Sequence, residues 1–76
     1  MGKLPVVSGW DAIRVFEKTG WMIDRRARSR HIVMKKPHVL TTLSIPEHKT
    51  LDRGLLRALI RDAQLSVDDF VKMLYE

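Results

Sequence analysis

Histidine is the side chain best suited to proton transfer in this cysteine-free sequence, because imidazole exchanges a proton near neutral pH. His31 lies among arginines and lysines that could hold a phosphate. RNA carries its own nucleophile, the ribose 2′-hydroxyl, so one general base plus cations at the phosphate can cleave RNA without a metal, whereas DNA cannot be cut in this way. His31 is therefore a candidate catalytic acid or base. On spacing alone, a surface strand residue is the commoner role for such a histidine.

Positive charge is concentrated around this histidine. Residues 25–36, called the basic segment below, carry a net charge of +6, whereas the whole chain carries +5. Such a density favours a polyanion such as RNA or DNA, or an acidic protein; the alternative is a solvated basic hairpin that keeps a small protein in solution. The candidate RNA contacts in the basic segment are Arg26, Arg28, Ser29, Arg30, Lys35 and Lys36.

Basic side chains outside the basic segment are weaker candidates. His48 and Lys49 could contact phosphate, and His48 could also donate a proton, whereas His38 is given no role. A further basic row has the i, i+4, i+8 spacing of one helix face, which is more often solvated than a phosphate contact. Its members are Arg53, Arg57 and Arg61.

Length and composition exclude several classes of function. A chain of 76 residues with 45% hydrophobic content forms one domain, residues 1–76, with a small core and little room for an enclosed cofactor. The absence of cysteine excludes disulfides and thiolate zinc sites, and the P-loop, GxGxxG, HExxH and GxSxG spacings do not occur. We therefore expect no cofactor and no metal. The sequence has no apolar run long enough for a membrane span and no signal peptide pattern, so a cytoplasmic protein is expected.

The first predicted helix spans about residues 9–19. Ser8 followed by Asp11 has the form of a capping box, and Gly20 is a plausible C-terminal stop. The apolar face of this helix is predicted to contain Trp10, Ile13 and Phe16.

Two more helices are predicted near the C-terminus. Asp52 is a suitable N-cap for a helix at about 53–63, and Ser66 for a helix at about 67–75. Gly54 is unfavourable inside a helix and suggests that another backbone or a ligand approaches closely there.

Three strands are predicted between these helices. The first starts at residues 21–23, the second is His31 to Lys35 and the third is Val39 to Ile45, ended by Pro46. In the second strand, alternation predicts one face on the core and one accessible face, with His31 at the accessible edge of the sheet. The expected fold is α+β, in the order α-β-β-β-α-α, with a three-stranded antiparallel sheet and its helices on one face.

Four short segments of the sequence resemble a known protein family over essentially the whole chain. They are residues 3–9, 31–37 and 43–49, and residues 54–63 continuing into 65–67. With them the chain resembles the HicA toxins of bacterial toxin-antitoxin pairs. The resemblance implies a fold like that of double-stranded RNA-binding domains, here with an additional C-terminal helix. It also implies an mRNA endonuclease that acts independently of the ribosome and is held inactive by a HicB-type antitoxin protein covering its site.

The family histidine closes a Gly-Ser-His type motif, and His31 takes its place in this chain. Ser29-Arg30 stands where the family has Gly-Ser; a one-residue offset matches a Gly-Ser-Xaa-His variant and loses only the glycine. Both alignments keep His31, and both place a bulky cation where a small residue is usual. The departure leaves two interpretations, an altered substrate geometry or a degenerate toxin.

A non-catalytic RNA-binding module and a protein-interaction domain are the alternative functions.

Overall fold

The computed structural model describes residues 3–76 and contains three helices, three strands and one 3₁₀ turn. The helices are α1 (Gly9–Lys18), α2 (Arg53–Asp62) and α3 (Val67–Leu74); the strands are β1 (Met22–Ala27), β2 (His31–Lys35) and β3 (Leu43–Pro46); the 3₁₀ turn is Arg28–Arg30. The strands form one antiparallel sheet in the order β1-β2-β3, so β2 is central. The predicted α+β class and element order are confirmed.

Each helix begins at the residue that the capping pattern predicts. At α1, Ser8 Oγ accepts from the Asp11 amide and Asp11 Oδ2 accepts from the Ser8 amide, both at 3.0 Å, which completes the capping box. The hydrogen bond from the Ser8 amide and, next, the Ser8 side chain lower the pKa of Asp11 below its usual value, and Arg14 adds a smaller effect. Asp52 and Ser66 cap α2 and α3 through one side-chain bond each.

Glycine is required at the two ends of α1 for different reasons. Gly20 adopts φ 98° after the last turn, and the Trp21 amide returns to the Phe16 carbonyl at 3.2 Å, which is the predicted stop. At the start of α1, a Cβ on Gly9 would overlap the Pro46 carbonyl. The helix therefore begins in direct backbone contact with the end of β3. At Gly54, the residue that the sequence singled out, a Cβ would come no closer than 3.1 Å to the capping carboxylate of Asp52.

One hydrophobic core lies between the sheet and the helices. Phe16 of α1 and Phe70 of α3 meet in it with ring centroids 5.7 Å apart, and Trp21 is also fully buried. The sheet contributes one side chain from every second position of β2 and β3, as alternation requires. These side chains are Ile32, Met34, Leu43 and Ile45.

The predicted third strand is too long at its start and too short at its end. Residues 39–42 are not in a strand, because β2 ends at Lys35 and Pro37 follows it, so this segment has no partner strand. Pro46 was expected to end the strand but is part of it, paired with His31 at the sheet edge, where no amide donor is needed.

The face of β2 that was predicted to be accessible is more covered than expected. Val33 was expected on the accessible face, yet it is only 6% exposed between its register partners Arg25 and Ser44.

Among residues 3–76, no helix is long and apolar enough to cross a membrane.

Candidate functional site

The turn between β1 and β2, residues Arg28–Arg30, has an unusual backbone and is called the arginine turn below. Ser29 and Arg30 both adopt left-handed conformations, with φ of 62° and 56°. Residues other than glycine rarely adopt this backbone conformation, because it costs about 1–2 kcal/mol of conformational free energy per residue. The strain therefore falls on Ser29 and Arg30, the two residues directly before His31. The Glu47 amide donates to the Arg30 carbonyl at 2.9 Å, which ties the turn to the end of β3.

His31 directly follows the arginine turn and begins the central strand. It is half-buried at the end of β2, between its register partners Ala27 and Pro46, and is therefore less accessible than expected. Its Nδ1 lies 2.9 Å from the Ser29 carbonyl oxygen. Because a carbonyl can only accept, this contact assigns the proton to Nδ1 and leaves Nε2 with a free lone pair in the neutral ring. That is the tautomer a general base requires.

Strand alternation decides which neighbours share the face of His31. The residues Ile32 and Met34 are in the core, so His31 lies on the opposite face together with Val33 and Lys35. Lys35 is four residues along the strand, roughly 13 Å away at 3.3 Å per residue. Lys35 and Lys36 therefore lie at the other end of the sheet from His31.

The charges of the basic segment fall into two groups. At the Lys35 end, Asp24 lies 2.8 Å from Arg25 and 3.6 Å from Lys35, so one carboxylate faces two cations. Within residues 3–76, neither Arg28 nor Arg30 lies within salt-bridge distance of a carboxylate. The unpaired guanidinium groups therefore flank Ser29 and precede the imidazole.

Arg26 belongs to neither group, because it binds Glu47. Its Nη2 donates to Glu47 Oε1 at 3.0 Å, and its Nε lies 2.9 Å from Oε2 without hydrogen-bond alignment. Trp10 Nε1 donates to the same Oε1 at 3.3 Å. Register places Arg26 opposite Ile32, on the helix side of the sheet, so this cluster and the His31 side chain lie on opposite sides of the sheet end.

A surface pocket of about 300 Å³ lies at this cluster and is called the tryptophan pocket. It is lined by Trp10, Arg26, Arg30 and Glu47. Trp10 was predicted on the apolar core face of α1, but it is 38% exposed, because the buried face of α1 contains Gly9, Ala12, Ile13 and Phe16, and position 10 lies about 100° around the helix from Gly9.

His48 and Lys49, the weaker candidates, lie in the exposed loop after β3. The His48 carbonyl accepts from the Gly9 amide at 2.9 Å, so this loop is fixed against the start of α1. Because Pro46 pairs with His31, both residues are at the His31 end of the sheet. Of the sequence-predicted residues, the structure thus brings Arg26, the arginine turn, His31, His48 and Lys49 to one end of the sheet.

Sequence reasoning missed Trp10 and Glu47 as site residues. Tryptophan in the first turn of a helix matched the core periodicity and gave no sign of exposure. Glu47 lies 11 residues beyond the basic segment, and its neighbours in the sequence do not indicate that it binds Arg26.

Comparison with known proteins identifies one matching family. The sequence model described as the HicA toxin of bacterial toxin-antitoxin systems matches residues 9–65 of the 76. The match covers α1, the sheet and α2, including the arginine turn and His31, and leaves α3 outside. A search of curated proteins gives no match.

Proposed function

The chain belongs to the HicA toxin family, and from that premise we propose that it is a metal-independent endoribonuclease that cleaves mRNA, with His31 as its catalytic acid or base. The observation that carries the proposal is the Nδ1 contact with the Ser29 carbonyl, which leaves Nε2 free to take a proton. The unpaired Arg28 and Arg30 beside it supply positive charge for a phosphate.

The proposed reaction uses the RNA's own hydroxyl as nucleophile. His31 Nε2 takes the proton of a ribose 2′-hydroxyl, the O2′–P bond forms and the P–O5′ bond breaks. The products are a 2′,3′-cyclic phosphate and a 5′-hydroxyl. The leaving oxygen takes a proton, for which His48 is the candidate donor, and the arginine turn stabilises the charge on the phosphoryl oxygens.

The family membership also leads us to propose a HicB-type antitoxin as the protein partner. A partner that covers the arginine turn would exclude RNA from both guanidinium groups and from His31 at once. The expected result is that adding the antitoxin stops RNA cleavage by the wild-type protein; continued cleavage in a saturated complex would contradict this part of the proposal.

The test of the proposal is cleavage of a single-stranded RNA by the purified protein in excess chelator. We expect cleavage products ending in a 2′,3′-cyclic phosphate, and no cleavage at a position where one 2′-hydroxyl is replaced by hydrogen. Cleavage at the 2′-deoxy position would contradict the proposed nucleophile. Salt-sensitive RNA binding without any cleavage would favour the RNA-binding module instead.

A further inference from the structure

The tryptophan pocket has the features of a site for an aromatic anion. One wall is the Trp10 indole, which is 38% exposed and oriented by the bond from Nε1 to Glu47. Another is Arg30, which has no carboxylate within salt-bridge distance among residues 3–76. An indole face that is both exposed and fixed can stack on a planar ring, and a free guanidinium can bind a phosphate.

Glu47 positions other side chains of this pocket and does not itself bind the ligand. Its side chain is only 13% exposed, Oε1 already accepts from Arg26 and Trp10, and Oε2 is buried. No carboxylate oxygen is therefore left for the edge of a base. Recognition would come from stacking, which tolerates every base because each has a π-face.

We propose that the tryptophan pocket binds one unpaired RNA base, stacked on Trp10, with the phosphate of that nucleotide on Arg30. This inference rests on the proposed RNA substrate. Arg30 directly precedes His31, and the pocket lies on the helix side of the sheet end whereas His31 lies on the other side. A strand that passes over the arginine turn would reach both, so the pocket holds a nucleotide next to the cleaved bond.

The size of the pocket fits one nucleotide. Its volume of about 300 Å³ is at the lower limit for small-molecule sites. A base must leave its duplex stack to lie against Trp10, so the proposed subsite would favour unpaired RNA over a duplex irrespective of sequence.

The experiment measures binding of a fully 2′-O-methylated RNA oligonucleotide of mixed sequence, which has no nucleophile and cannot be cleaved. We expect Trp10→Ala to weaken binding by roughly 5- to 150-fold, the range for loss of one base–aromatic stack, and Trp10→Phe to weaken it by only a few-fold. Tyr75→Ala is the matched control, because Tyr75 is an exposed aromatic at the end of α3 and should leave binding unchanged.

A second series uses the same oligonucleotide with one base removed at each position in turn. One abasic position should weaken wild-type binding by about as much as Trp10→Ala does, and the same removal should have little further effect on the Trp10→Ala variant. The proposal would be overturned if the losses of affinity from Trp10→Ala and from base removal were additive at every position. It would also be overturned if Trp10→Ala bound the oligonucleotide with wild-type affinity. Weakened antitoxin binding by Trp10→Ala with unchanged RNA binding would assign the pocket to a protein and also overturn it.

These outcomes separate the pocket from the proposed reaction. If the protein does not cleave RNA but its binding shows the coupling between Trp10 and one base, the proposal for the tryptophan pocket is supported and the endonuclease proposal fails. If the protein cleaves RNA and the coupling is absent, the endonuclease proposal is supported and the proposal for the tryptophan pocket fails. Melting curves of Trp10→Ala and Trp10→Phe establish that both variants are folded.

Discussion

The two ends of the central strand carry similar numbers of cations but differ in what the structure does with them. At the Lys35 end, Asp24 faces both Arg25 and Lys35. At the His31 end, Arg28 and Arg30 have no carboxylate within salt-bridge distance among residues 3–76, and they flank a left-handed turn. At the second end, Arg30 directly precedes His31, whose Nδ1 contacts a backbone carbonyl.

This difference shows why charge density along a sequence is a poor locator of a phosphate site. Exposed ion pairs contribute little to stability, about 0–1 kcal/mol, but they offset the charge that a phosphate would meet. In the sequence, the basic segment is a run of charged residues of one sign. In the fold, the β1 bulge at Asp24 places a carboxylate beside its Lys35 end. The structure therefore favours the arginine turn over Lys35 as the contact for RNA.

The largest expected effect is at His31. His31→Asn keeps a donor at the position of Nδ1, so the bond to the Ser29 carbonyl can persist while the Nε2 lone pair is lost. Single-turnover cleavage should fall roughly 10²- to 10⁴-fold with unchanged RNA binding. His38→Asn is the matched control, because His38 is exposed near the Lys35 end and asparagine tolerates its φ of 66°. Equal single-turnover cleavage rates for His31→Asn and His38→Asn would contradict the assignment of catalysis to the His31 end of β2.

The second prediction compares paired and free cations directly. Arg28→Ala with Arg30→Ala should weaken RNA binding roughly 10- to 100-fold and flatten the salt dependence by about 0.7 in slope per lost contact. Arg25→Ala with Lys35→Ala removes the same charge but should have a smaller effect, because both cations lie within salt-bridge distance of Asp24, which offsets one of the two charges. Affinities measured over a series of salt concentrations test this, and equal slopes for the two pairs would refute the comparison.

The third prediction concerns the contact that anchors the His31 end. Gly9→Ala should lower the free energy of unfolding by about 1–3 kcal/mol, because its Cβ would overlap the Pro46 carbonyl. Gly54→Ala is the control: the gain in helix propensity is about 1 kcal/mol, and the nearest atom is the Asp52 carboxylate at 3.1 Å. Denaturant titration of both variants checks this, and equal stabilities would mean that the start of α1 can move away from β3.

The fourth prediction reverses the family departure. Ser29→Gly with Arg30→Ser relieves left-handed strain at residue 29, by about 1 kcal/mol of unfolding free energy, and removes one guanidinium. We expect weaker RNA binding and a faster single-turnover rate, since backbone access matters in the transition state and the arginine acts mainly on binding. Slower cleavage would instead give Arg30 a catalytic role. Ser29→Gly alone separates strain from charge.

The smallest effect tests the helix start that lies beside this end. Asp11→Asn should cost about 0.5 kcal/mol at neutral pH, a low value because the Asp11 side chain is 42% exposed. The pKa of Asp11 is lowered in the fold, so its contribution is present above the ordinary value of 3.8 and is lost as the pH falls below it. Thermal melts at several pH values should therefore converge in acid. Asp69→Asn, at the same position of α3, is the comparison.

The sequence predicts the helices best because their signals are local. Ser8, Asp52 and Ser66 each cap a helix within three residues of chain, and Gly20 stops α1 where its φ of 98° requires glycine. The third strand was misjudged, because β propensity at residues 39–42 does not supply a partner strand.

The candidate site is less predictable, because its decisive contacts join distant parts of the chain. Trp10 and Glu47 are 37 residues apart and meet only when the start of α1 packs on the end of β3. The pairing of Asp24 with Lys35 likewise requires the hairpin register. His31 could be identified from its neighbours in the sequence, but its tautomer depends on the turn geometry that places the Ser29 carbonyl beside Nδ1.

The most direct test of where RNA binds is a titration of the ¹⁵N-labelled protein with the 2′-O-methylated oligonucleotide, followed by amide chemical shifts. The account predicts the largest changes at residues 28–31, the loop after Pro46 and the Trp10 indole, with small changes at Asp24 and Lys35. Largest changes at Asp24 and Lys35, with the arginine turn unaffected, would contradict it.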